Sequence, residues 1–133
     1  MILCDTNILI DYWKNPKELL KLKISKDKHS ICGIVKSELL HGAKDDDEAD
    51  RMLGFFQSFN LITIDEYDWE FSGLMLQTIR TQGFAMPVTD VLIAYLGIKY
   101  DIPIWTKDHY FKIIQAIYPE LKLYSNSLDS FAK

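Results

Sequence analysis

Four acidic residues set among polar neighbours are the part of this 133-residue chain best suited to chemistry. They are Asp5 in Cys4-Asp5-Thr6-Asn7, Glu38 in Val35-Lys36-Ser37-Glu38, Asp90 in Pro87-Val88-Thr89-Asp90 and Asp108 in Trp105-Thr106-Lys107-Asp108. Singly, each has a structural use: Asp, Asn, Ser and Thr cap helices, and a carboxylate in a first helical turn gains about 0.3–1 kcal/mol from the helix dipole. Gathered together, they need another explanation. Two carboxylates ~4 Å apart repel by about 4 kcal/mol at an effective dielectric near 20, so a cluster requires raised pKa values or a bound cation. Oxygen-only donors suit Mg²⁺ or Mn²⁺, which keep several waters and take only a few carboxylates. One or two such ions can stabilise the oxygens of an in-line phosphoryl displacement. They also invert the local field, so that a polyanion can enter an acidic pocket.

The acids meet only if the secondary structure gathers them. Ile2-Leu3-Cys4 reads as a strand, Ile8 to Trp13 as a helix interrupted at Asn15-Pro16, and Lys17 to Lys23 as a small amphipathic helix. His29 to Ile34 reads as a second strand and Val35 to Ala43 as a helix with Glu38 in its first turn or so. A helix through Met52, Phe56 and Phe59 follows the acidic run Asp45–Asp50. Leu61 to Ile64 is a third strand, and helices follow over Glu66 to Gln82, ended by Gly83, and Thr89 to Tyr100. Ile104-Trp105 gives a fourth strand, His109 to Ile117 a helix, and Leu121 to Tyr124 an edge strand.

Strands alternating with helices, without hairpin turns, imply crossover connections and a mainly parallel sheet. The expected fold is an α/β sandwich with a central sheet of four to five strands flanked by helices, as a single domain over residues 1–133. In such sheets ligands bind outside the carboxyl ends of the strands, which is where these acids fall.

Composition is that of an ordinary globular domain: 48% apolar, 26% charged and 13% aromatic residues. No stretch approaches the ~20 apolar residues of a bilayer span. The opening Met-Ile-Leu-Cys-Asp lacks the parts of a signal peptide, and Cys4 and Cys32 lie in apolar runs, so reduced thiols and a cytoplasmic location are expected. The net charge of −4 has the wrong sign for a surface that grips nucleic acid throughout. It is unevenly spread, however. Lysines 14, 17, 21, 23, 26 and 28 could follow an RNA backbone or form a solvated helix face and loop.

Asp11 is expected to be solvated, and His41 and His109 to be partly exposed structural residues. Zinc at Cys4, Cys32, His29 and His41 lacks ligand spacing. Trp13, Trp69, Trp105, Phe55, Phe56 and Phe59 are expected in the core or an interface, with no base-stacking platform.

Four segments together resemble the PIN-domain ribonucleases, most closely VapC-type toxins of toxin–antitoxin pairs. They are Asp5-Thr6-Asn7 with Ile8-Leu9-Ile10-Asp11, Ser37-Glu38-Leu39-Leu40-His41-Gly42-Ala43, Thr89-Asp90-Val91-Leu92-Ile93-Ala94, and Trp105-Thr106-Lys107-Asp108-His109-Tyr110-Phe111. The resemblance implies a PIN-like three-layer sandwich and a Mg²⁺- or Mn²⁺-dependent endoribonuclease. Asp5, Glu38, Asp90 and Asp108 would form an acidic quartet. Asp5 and Asp90 would contact metal most directly, and Glu38 and Asp108 would complete the site, directly or through water, and help orient the nucleophilic water. Thr6, Asn7 and Thr106 would hold the carboxylates by hydrogen bonds, support that metal ligands need. Tyr110 departs from the pattern, since many relatives carry an acid there.

The resemblance also implies partners: an RNA substrate, a small DNA-binding antitoxin whose C-terminal segment blocks the groove, and a second copy in a homodimer, with no membrane. Two other readings use the same residues. One is a receiver-type phosphoacceptor with Asp65 as acceptor and Thr106-Lys107 nearby. The other is a binding module whose acids only cap helices.

Overall fold

The strand β1 (Ile2–Cys4) forms the middle of the sheet because it is apolar on both faces; Leu3 and Cys4 are fully buried. In this computed structural model, which describes residues 1–124, β1 pairs in parallel with β2 (His29–Cys32) on one side and β4 (Ile104–Trp105) on the other. β3 (Asn60–Ile62) pairs in parallel with β2, giving the order β3-β2-β1-β4. The expected single domain over residues 1–133 extends past residue 124, outside the described residues.

Among the described residues seven helices flank the sheet: α1 (Thr6–Trp13), α2 (Pro16–Leu22), α3 (Gly33–His41), α4 (Asp46–Phe56), α5 (Glu66–Thr81), α6 (Val88–Tyr100) and α7 (Tyr110–Ile117). The parallel α/β sandwich is as expected. Its strand order excludes the receiver-type arrangement, in which the strands run 2-1-3-4-5.

Local signals set most boundaries. Asp5 is the N-cap of α1, so the helix begins at Thr6, two residues before the apolar run that predicts it. β2 stops at Cys32 and not Ile34, because α3 opens at Gly33 with Cys32 as its extended N-cap. Glu38 therefore lies in the second turn of α3, where it caps nothing. Asp45 caps α4, with Asp46, Asp47 and Glu48 in the first turn, where the dipole favours them. Asp65 and Asp68 form a reciprocal capping box at α5.

Gly83, at φ 91°, ends α5 in a Schellman motif: its N–H donates to the Arg80 carbonyl and the Phe84 N–H to that of Ile79. The expected edge strand at Leu121–Tyr124 shrinks to a single parallel bridge between Ile104 and Leu123. Two-residue β4 offers too short an edge to extend that pairing.

Candidate active site

The sheet order makes the site. The chain steps outward from β1 to β2 and β3, then crosses back over α5 and α6 to β4 on the far side of β1. That reversal opens a crevice at the carboxyl ends of β1 and β4. Cys4 is in register with Trp105, and the Asp5 N–H donates to the Trp105 carbonyl at 2.9 Å. The next residues on the two strands, Asp5 and Thr106, consequently face each other.

Asp5 is 4% exposed, and both its oxygens accept hydrogen bonds, Oδ1 from the Thr6 N–H at 2.8 Å and Oδ2 from the Thr106 hydroxyl at 2.7 Å. Burial pushes its pKa up; the Thr106 and Thr6 hydrogen bonds oppose that rise, and the charges of Glu38 and Asp108 add to it. The Thr106 hydroxyl spends its whole capacity here. It donates to Asp5 and accepts from the Asn7 side-chain amide at 3.3 Å and the Asp108 N–H at 3.0 Å. Asn7 Oδ1 accepts from the Lys107 N–H at 3.2 Å, so Asn7 supports the β4–α7 loop and reaches Asp5 through Thr106.

The Thr6 hydroxyl donates to Glu38 Oε1 at 2.7 Å, tying α1 to α3. Asp108 accepts the Tyr110 N–H at 3.0 Å at the start of α7. Tyr110, the position departing from the family pattern, thus meets Asp108 through its backbone. The capping explanation accordingly describes Asp5 and Asp108, but it fails for Glu38.

Asp90, in the first turn of α6, completes the group. Its pKa is raised to about 7, by burial first and then by repulsion from Asp5, Asp108 and Glu38, with a hydrogen bond to Asp108 adding to the effect. All four sequence-predicted acids therefore share one electrostatic environment, with Asp5 buried, Asp90 and Asp108 half-buried and Glu38 exposed.

Among the described residues, no three His, Cys, Asp or Glu side chains converge tightly enough to cage an ion by themselves. The donor chemistry still fits one kind of ion. An all-carboxylate rim suits a hard divalent cation such as Mg²⁺ or Mn²⁺, which takes a few carboxylates and keeps several waters.

Other expectations are met in part. Asp11 is ion-paired with the Lys107 ammonium and is not merely solvated, a contact across 96 residues that no local pattern reveals. Cys4 and Cys32 are buried free thiols, and His29 is buried with Nδ1 accepting the Ser25 N–H. His109 is exposed and stacks beside Tyr110. Trp105, Phe56 and Phe59 are core residues, whereas Trp69 is 42% exposed.

Comparison with known proteins agrees with this fold. A toxin–antitoxin complex from Klebsiella pneumoniae contains a chain 23% identical over 95% of this chain and 100% of that one, with a TM-score of 0.70. VapBC2 from Rickettsia felis, bound to a promoter DNA fragment, gives 25% identity over 93% and 98% at a TM-score of 0.72. VapBC-1 from nontypeable Haemophilus influenzae gives 22% over 94% and 98% at 0.73. No curated protein matches the sequence significantly. The sequence profile of the PIN domain matches residues 2–117, nearly the whole of the described fold. The chain therefore belongs to the PIN-domain family, a family of nucleases.

Proposed function

We propose that this protein is a Mg²⁺- or Mn²⁺-dependent endoribonuclease and the toxin of a toxin–antitoxin pair, acting in the cytoplasm as a homodimer. The observation that carries the reading is the gathering of four carboxylates from distant segments around one crevice, where burial first and their mutual repulsion second lift Asp90 to about 7. Crowded, partly buried carboxylates have no use in a module whose acids only cap helices, and a divalent cation relieves both the cost of their burial and their repulsion.

Asp5, Asp90, Glu38 and Asp108 are the residues to hold the metal. When bound, Mg²⁺ or Mn²⁺ supplies Lewis acidity toward a phosphodiester oxygen and lowers the pKa of water. The chain's own groups do the positioning. Thr6 and Thr106 fix both Asp5 oxygens, so its carboxylate presents one orientation to the crevice. Thr6 also holds Glu38 at the rim, where an exposed carboxylate can orient water for attack on phosphorus. Asp90, sharing a hydrogen bond with Asp108, holds a proton up to about neutral pH in the metal-free site and releases it when metal binds.

Support for an antitoxin partner comes from the three structural relatives, each solved in a toxin–antitoxin assembly. A cavity lined by Ile10, Trp13, Leu39 and Met52 reaches Glu38 from the α1–α4 side and offers an apolar seat for a helical antitoxin segment.

The reading is tested by incubating purified protein with total RNA and with Mg²⁺, Mn²⁺ or EDTA, and sequencing the new ends. Cleavage is expected with either metal and none with EDTA. Asp5→Asn and Asp90→Asn are expected to lower the rate at least 100-fold, the size of effect seen when one positioned group is lost, with the fold intact by circular dichroism. Full activity in both variants rejects the assignment.

A further inference from the structure

A second groove leaves Glu38 on the other side of the site, and the chemistry above makes no use of it. It holds about 450 Å³ and is lined by Gly33, Ser37 and Glu38 from α3, Ile64 from the loop before α5, Trp69 near the start of α5, and Thr89 beside Asp90. Trp69 is 42% exposed within it. Gly33 brings no side chain, and a Cβ there would meet nothing within 4 Å, so the space before the indole stays open. Trp69 lies two residues from both Tyr67 and Phe71, about 200° round the helix from each. It therefore points away from the exposed apolar stripe that those two residues share with Leu74.

We propose that this groove is a nucleobase subsite, in which a base next to the cleaved phosphodiester of single-stranded RNA stacks on the Trp69 indole with the Ser37 and Thr89 hydroxyls at its edge. The proposal rests on the nuclease reading and adds to it a means of holding substrate. The acidic rim of the site, in a chain of net charge −4, repels phosphate in the absence of metal. Base stacking is indifferent to that field and tolerates any base, because each has a π-face. Because Glu38 and Thr89 line the same groove, a stacked base there adjoins the acids, and single-stranded loops with unstacked bases are the natural targets.

The test uses the full chain with oligoadenylate, Ca²⁺ replacing Mg²⁺ to keep the RNA whole, and tryptophan emission as readout. Oligoadenylate is expected to quench wild-type emission. Trp69→Phe should bind within a few fold of wild type while losing most of the quench. Trp69→Ala should bind about 5- to 150-fold more weakly, the range of one aromatic–base stack, with an unchanged salt slope and an unchanged melting temperature. An oligomer with abasic riboses should bind wild type and Trp69→Ala alike.

Wild-type affinity in Trp69→Ala overturns the subsite. So does a Trp69→Ala variant that loses only self-association or antitoxin binding, which assigns the groove to a protein. Wild type that neither binds nor cuts RNA overturns the nuclease reading, and the subsite with it; wild type that cuts while Trp69→Ala is unaffected overturns the subsite alone.

Discussion

Asp90 carries the clearest consequence of packing like charges together. An aspartate in an unfolded chain titrates near 3.9, roughly its model-peptide value, whereas in the folded, metal-free protein Asp90 is raised to about 7 by burial and by Asp5, Asp108 and Glu38. Between those two values the native state holds a proton that the unfolded state has released. For a group shifted this way, stability falls as pH rises through the interval, and the full penalty is present above about 7. The melting temperature of the protein in EDTA is therefore expected to drop between pH 5 and pH 8. Asp90→Asn, which is neutral throughout, should flatten most of that slope and melt higher than wild type at pH 8. Mn²⁺ at pH 8 should restore wild-type stability by mass action and leave Asp90→Asn nearly unmoved. An Asp90→Asn variant that keeps the wild-type slope would place the shifted proton elsewhere. Because the carboxylate must be deprotonated to serve as a ligand, metal affinity should rise with pH over the same range.

The helices and strands that aim these side chains depend on close approach at Gly97. It lies on the face of α6 against β4, where a Cβ would stand 2.6 Å from Ile104 Cδ1 and 3.0 Å from the Ile102 carbonyl oxygen. Alanine favours a helix by about 0.8–1 kcal/mol over glycine, but overpacking costs about 1–3 kcal/mol, and the backbone carbonyl cannot move aside as a side chain can. Gly97→Ala is expected to lower the melting temperature by a few degrees and Gly97→Val by more. Activity should fall with it, because α6 carries Asp90 and β4 leads to Thr106; an unchanged melting curve for Gly97→Val would show that the contact is slack. Elements of this kind were partly legible in the sequence. The apolar triplet Ile2–Cys4 and the doublet Ile104–Trp105 can be little else than buried strands, and the acids following them announce a rim. Side-chain contacts across the fold were not legible. Glu38 meets Thr6 only because α1 packs on α3, and Asp11 meets Lys107 only because the β4–α7 loop folds back over α1. Trp69 reads as core or interface from its apolar character, and only its position near the start of α5 decides between them by leaving it half in solvent. The pairing of Leu121–Tyr124 depends on an edge only two residues long.

Over the molecule as a whole, charge and apolar surface are arranged for contacts with other macromolecules. Among the described residues no helix is long and apolar enough to cross a membrane. One face of α5 nonetheless presents Tyr67, Phe71 and Leu74 at 69%, 49% and 58% exposure, successive positions of a single helical stripe. Phe71 also stacks on Tyr95 of α6 with ring centroids 5.9 Å apart, which extends the stripe onto the neighbouring helix. A continuous apolar patch of this kind marks an interaction site, and a twofold contact, in which the same patch serves both partners, is the commonest way for a soluble chain to cover one. The homodimer of the proposed function should therefore be held by this face. Leu74→Glu puts a charge at its centre while leaving the buried side of α5 untouched, so by light scattering at micromolar concentration wild type is expected to run as a dimer and the variant as a monomer, and both should melt at similar temperature once diluted. The Asp5–Thr106 crevice is built within one chain, so the monomer should still cut RNA. A Leu74→Glu protein that remains dimeric would move the interface elsewhere. Loss of cleavage in a folded monomer would mean instead that each site needs its partner copy to be complete.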